Sequence, residues 1–190
     1  MYQVVEKEGV FHILEENEPV FTPAGNPVTA NHETLARRLA GHLHQFGAGT
    51  GSHHSIAMYH FPMLDFVVNY PRSDIERTLI LAFDPYNDWT FRCTAFTDSM
   101  RKRWLKVFGD PETRITEGRA WIADLNLNQL CAAMVLGKAL GSMNIPLHAS
   151  RLAQKSRLLA FAREIVMFKP DLGKLPLEDM LSNFHFYWEL

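Results

Sequence analysis

Cysteine is scarce. The chain has only Cys93 and Cys131, far apart and outside any C-x-x-C or Cys/His spacing. That excludes a disulfide framework and a zinc module, and it fits a reducing compartment with two buried free thiols. Long apolar runs are missing too. The most apolar stretch, 125–140, is interrupted by Asn126, Asn128, Gln129 and Lys138, which leaves it too short and too polar to span a bilayer. Neither sign of charge dominates: 19 basic residues face 21 acidic ones, for a net charge of −2. This balance gives no electrostatic reason to expect nucleic acid or an anionic membrane as a partner. Residues 1–8 carry neither the basic start and apolar run of a secretory signal nor the Arg/Ser-rich pattern of a transit peptide. The expected location is the cytoplasm. No internal repeat and no low-complexity segment is present.

What the chain does have is apolar and aromatic mass. Hydrophobic residues make up 47% and aromatic residues 12% of 190 positions, enough to bury a sizeable core and to exclude disorder. Strand-like runs at 2–6 and 10–14 flank Lys7-Glu8-Gly9, and further candidates lie at 20–22 and 28–30 around a turn at Ala24-Gly25-Asn26-Pro27. The period changes at Asn31, a candidate N-cap. Leu35, Leu39, Leu43 and Phe46 then share one helical face, and Gly47 ends it. Pro62 predicts a helix start, not a helix interior. Ser73 and Glu76 have capping-box spacing before a helix that Asp84-Pro85 stops near Phe83. Thr97 or Asp98 opens another, striped by Met100, Trp104, Val107 and Phe108 and closed by Gly109 and Pro111. Residues 124–140 are apolar on nearly all sides, which predicts a central buried helix with Gly141 just beyond it. Further helices are expected over 146–168 and 176–189. The fold class expected is α+β: a small β-rich N-terminal domain over 1–30 and a larger mainly helical domain over 31–190.

Four patches, in order, resemble one family. Thr22-Pro-Ala-Gly-Asn-Pro-Val28, with Leu35-Ala36, is similar to its N-terminal signature. Pro62-Met-Leu64 is similar to a Met-Pro-Leu segment after the first helix. Trp104 with Phe108-Gly109 and Ile115-Thr-Glu-Gly118 resembles Trp-x-x-x-Phe-Gly and a following Thr-x-Gly. Residues 156–162 and 173–181 resemble a small-residue helix followed by Gly-x-Leu and an acidic helix. The family is that of the ATP synthase assembly factor "twelve", which escorts the free alpha subunit of the catalytic head. The resemblance implies a β-rich N-terminal part joined to a helical part, and a chaperone in place of an enzyme. Its client would be the ATP synthase alpha subunit, and its setting a bacterial cytoplasm or, for a processed eukaryotic chain, the mitochondrial matrix. Two family features have no match. Gly41–Gln45 stands where members carry Glu-Trp, and the last residues, Phe184–Leu190, lack the family's C-terminal acidic, Gln and Trp-Gly pattern. Glu189 is the nearest counterpart of the acidic residue.

Candidate chemistry is thin. His42, His44, His53, His54 and His60 crowd around a Gly-rich loop, which raises a small metal-dependent or hydrolytic enzyme as the alternative. On a helix, however, His42 and His44 point roughly 160° apart and do not converge on one ion. Ser52 and Ser55 sit in no Gly-x-Ser-x-Gly elbow, and residues 48–52 lack the Gly-Lys-Ser/Thr of a phosphate loop. Asp84 and Asp88 near Arg92 read as helix caps and ion-pair partners. Arg101, Lys102, Arg103 and Lys106 read as a solvated helix face. No catalytic residue, metal or cofactor is therefore assigned. In the last helix, Leu177, Leu181, Phe184 and Trp188 form the core stripe. Phe186 and Tyr187 fall outside it and, with Glu189, are the candidate client-binding residues.

Overall fold

The computed structural model describes residues 1–47, 53–81, 97–108, 111–140 and 174–190, with Ala160 and Arg163. The expectations for Cys93, Asp84, Asp88, Arg92, Ser52, Gly141, the stops at Asp84-Pro85 and Gly109, and the helix over 146–168 lie outside the described residues. The same holds for the side chains of Trp104, Val107 and Phe108.

The architecture is α+β, as the change of period at residue 31 predicts. Strands β1 (Tyr2–Lys7) and β2 (Val10–Glu15) form an antiparallel hairpin. On the other side of β2 lie the short strands β3 (Glu18–Pro19) and β4 (Thr29–Ala30). Both two-residue turns put their residues at positive φ: Glu8 at 53° and Gly9 at 78°, then Glu16 at 52° and Asn17 at 72°. That is the hand that matches the strand twist, and it sets the register Lys7↔Val10 and Glu15↔Glu18. The third strand is shorter than its β-branched residues suggest. Only Glu18–Pro19 pair as a strand, and Phe21 makes an isolated bridge with Pro27.

Helix α1 (Glu33–Phe46) covers one face of this sheet with Leu35, Ala36, Leu39 and Leu43, all buried. Its N-cap is His32, not Asn31, and no side chain caps it. Ala30 is still paired with Phe11, so the chain stays extended one residue longer than the cap preference alone implies. Next come α2 (Ala57–Asp65), a 3₁₀ turn (Val67–Asn69), α3 (Arg72–Leu81), α4 (Asp98–Phe108), α5 (Pro111–Ala123), α6 (Leu127–Ala139) and α7 (Leu177–Trp188). Helix α6 is central, packing against α2, α3 and α7. The buried residues before and after Ala30 belong to one hydrophobic cluster, from Ile13 and Val28 to Phe184 and Tyr187.

Four local expectations are corrected. Pro62 lies inside α2, not at its start. The missing N–H deprives only the Met58 carbonyl of its helical partner, and α2 ends three residues later, so the break is small. Ser73 is not a cap, because α3 begins at Arg72 behind Pro71. The Glu76 carboxylate turns to the Arg72 guanidinium at 2.5 Å, a charge-assisted partner that outcompetes a backbone N–H. Pro111 opens a helix in place of closing one, as its fixed φ and absent N–H suit a first turn. The 124–140 segment becomes helical only at Leu127, where Asn126 and Gln129 form a reciprocal capping box at 2.9 and 3.0 Å. The opening of α4 stands as expected, since Thr97 Oγ1 accepts from the Met100 N–H.

The Thr22–Val28 segment has a structural task. Its turn places Gly25 at φ 87°. The Thr22 hydroxyl donates to Asp65 Oδ1, and Asn26 Nδ2 donates to the same oxygen at 2.9 Å. The loop is thereby fastened to the end of α2. Asp65→Ala is expected to cost about 1–2 kcal/mol and to expose 22–27 to protease. Urea melts and limited proteolysis check this, and an unchanged cleavage rate would show that the fastening contributes nothing.

Candidate interaction groove

A concavity of about 880 Å³ lies between α2, the 3₁₀ turn, α3 and α6. Its apolar lining includes Met58, Val67, Ile75, Met134 and Val135; polar lining comes from His53, Asp74, Arg77, Thr78 and Lys138. Two aromatics that also line it stand out into solvent: Phe66 is 55% and Tyr70 58% exposed. The backbone explains why. Phe66 is the C-cap of α2 at φ −127° and ψ −55°, so it no longer follows the buried helical face. Tyr70 precedes Pro71, which forbids the helical region and holds it extended at φ −101° and ψ 144°. The fastened loop carries an exposed aromatic of its own. Phe21 precedes Thr22 and Phe66 follows Asp65, so the junction carries a half-exposed aromatic on each chain segment. Arg77 and Asp74 pair at 3.2 Å in an exposed setting, worth only a few tenths of a kcal/mol.

The residues expected to form the client surface do not come together as one. Tyr187 is fully buried, which corrects the expectation that it stands off the core. Its ring stacks on Tyr59 at 6.0 Å, and its hydroxyl meets His60. Phe186 is half-buried, with the Arg38 guanidinium 3.7 Å above its ring. Glu189 is exposed at the end of α7. The physical reason is that α7 packs against both α2 and α6. It therefore buries Met180, Leu181, Phe184 and Tyr187, a face turned from the Leu177–Trp188 stripe. Trp188 instead stacks half-buried on Trp121 at 5.8 Å.

The histidines disperse as well. His42 is buried against Phe46 and Phe61. His44 is exposed, and His53 stands at the groove. His54 Nδ1 lies 2.7 Å from Asp179, with both side chains more than half exposed. His60 is buried, and both ring nitrogens are engaged. Ser55 Oγ accepts from the Ala57 N–H and starts α2. Among the described residues no group of three or more His, Cys, Asp or Glu is placed to hold a metal ion. Burial pushes the Cys131 thiol up to about 12, and the thiol donates to the Tyr59 carbonyl. At neutral pH it is protonated and a poor nucleophile.

Sequence reasoning missed the groove. Its available signal was the run Phe66-Val-Val-Asn-Tyr-Pro71, where a proline directly follows an apolar stretch and forces an aromatic out of helical register. Comparison of the chain with protein-family models, curated proteins and solved structures finds no match.

Proposed function

We propose that this chain is a non-enzymatic binding protein of the assembly-chaperone type. It holds an apolar surface of a client subunit until the client's native neighbour takes its place. The observation that carries this reading is the apolar groove with Phe66 and Tyr70 exposed at it. Exposed aromatics beside an apolar concavity are what a protein partner buries most profitably. Met58 and Met134 give the lining the adaptability of unbranched side chains. The resemblance of Thr22–Val28 and the three later patches suggests the ATP synthase alpha subunit as client. Release needs no chemistry: affinity must be low enough for the final partner to win by mass action.

The experiment is binding of purified alpha subunit to wild type and to the double variant Phe66→Ser, Tyr70→Ser. Loss of two hot-spot aromatics is expected to weaken binding about 10–30-fold or more. The melting temperature should hold, because both side chains are more than half in solvent. Phe186→Ser and Glu189→Ser serve as a separate arm for the last helix. Unaltered binding by the groove variant, with loss in the α7 arm, would move the surface to α7. Failure of wild type to bind alpha subunit would remove that client.

A further inference from the structure

One imidazole joins three elements that are distant in the chain. His60, on α2 and 5% exposed, places Nε2 2.6 Å from the Thr29 carbonyl on β4 and Nδ1 3.0 Å from the Tyr187 hydroxyl on α7. A carbonyl oxygen only accepts, so Nε2 carries the hydrogen. Nδ1 of the neutral ring is then a bare acceptor, and the Tyr187 hydroxyl donates to it. Every polar atom of the trio is satisfied in this one protonation state. A proton added at Nδ1 would force the Tyr187 hydroxyl to turn and accept. Its own hydrogen would then point into a core where, among the described residues, it has no second partner. The imidazolium charge would also sit in a site built from apolar and aromatic side chains.

We propose that His60 is an acid-released latch: uptake of one proton by its ring undocks α7 from α2. The groups that face it offer the charge no relief. Tyr187 on α7 and Tyr59 beside it on α2 are kept protonated by burial, as is Cys131 on α6. His12 on β2 stands opposite Thr29 in the ladder. Among the described residues no carboxylate bonds to the ring. Burial accordingly lowers the His60 pKa, and the Thr29 carbonyl only partly offsets this. The sign follows. The docked form disfavours the proton and the released form accepts it, so docking is fully present above the ordinary histidine value of 6.5 and is lost as pH falls below it. With one proton linked, the share of released form rises up to about tenfold per pH unit in that window.

The test is amide exchange of residues 177–188 in the full chain between pH 7.5 and 5, referred to intrinsic rates, with the wild-type His60 ring followed by NMR. The expected result is an Nε2–H ring that takes up its proton at the same pH at which α7 loses protection. In His60→Gln, whose amide has both a donor and an acceptor but does not titrate, protection should stay flat with pH. Either of two results overturns the latch: protonation of His60 with α7 still protected, or the same acid transition in His60→Gln. Should the Gln variant fail to fold, coincidence or separation of the two wild-type transitions decides alone.

Discussion

Tyr187→Ser is expected to lower the unfolding free energy by about 3–5 kcal/mol, the range for truncating a fully buried aromatic. The ring fills the space between Tyr59 and His60, and α7 cannot close over a cavity there without losing the Tyr59 hydroxyl bond to the Met180 carbonyl at 2.9 Å. The hydroxyl goes too, which leaves His60 Nδ1 without its donor. Phe186→Ser, one residue earlier, should cost no more than about 1–2 kcal/mol, because its ring is half-buried and carries the Arg38 guanidinium over its face. Urea denaturation of the two single variants measures the contrast. Equal losses would mean that the two aromatics share one environment, against the burial described above.

Arg72→Met should cost about 2–3 kcal/mol. One guanidinium nitrogen of Arg72 donates to the carbonyls of Leu125 at 2.7 Å and Ala123 at 3.1 Å, with Ile122 at 3.4 Å. These carbonyls end α5 and begin the turn into α6; Ile122 also accepts from the Leu125 N–H at 3.1 Å, so the guanidinium chiefly serves Ala123 and Leu125. The cation also opposes the negative end of the α5 dipole. Glu76 holds the guanidinium from the other side. Because the Arg72 side chain is 40% exposed, water replaces part of what is lost, which keeps the effect below that of a buried pair. Arg72→Lys retains the charge without the planar fork and should recover less than half of the stability. Full recovery by Lys would show that charge alone holds the α5–α6 corner.

Legibility in the sequence followed the strength of the local signal. The β1–β2 hairpin, α1 and α7 are readable from a period bounded by a turn or cap, and α6 from a run that is apolar on nearly all sides. Helix α5 is not: Gly118 interrupts it, its apolar residues follow no 3.6-residue stripe, and Pro111 after Gly109 reads as the end of the preceding helix. The N-terminal signature was readable as a turn, but its bond to Asp65 was not, since the partners lie in elements with no sequence relation. Tyr187 was misplaced because a stripe assigns one face to a helix, whereas α7 packs against two others. The groove was invisible for a similar reason. Its lining comes from four elements, and no member carries a chemical signature by itself.

The long span of the His60–Tyr187 contact also bears on how the chain is made. Its partners are separated by 127 residues, and the neighbouring His54–Asn183 bond spans 129. At the usual pace of synthesis, α7 leaves the ribosome roughly 6–25 s after α2, longer than helix formation or collapse requires. Throughout that interval the faces of Tyr59 and His60 that α7 later covers are bare on the nascent chain. Closure of this core is a late, long-range step. A chain stalled before Leu177 keeps that aromatic face uncovered, and so presents to holdases and proteases a surface that the finished protein covers whenever α7 is docked.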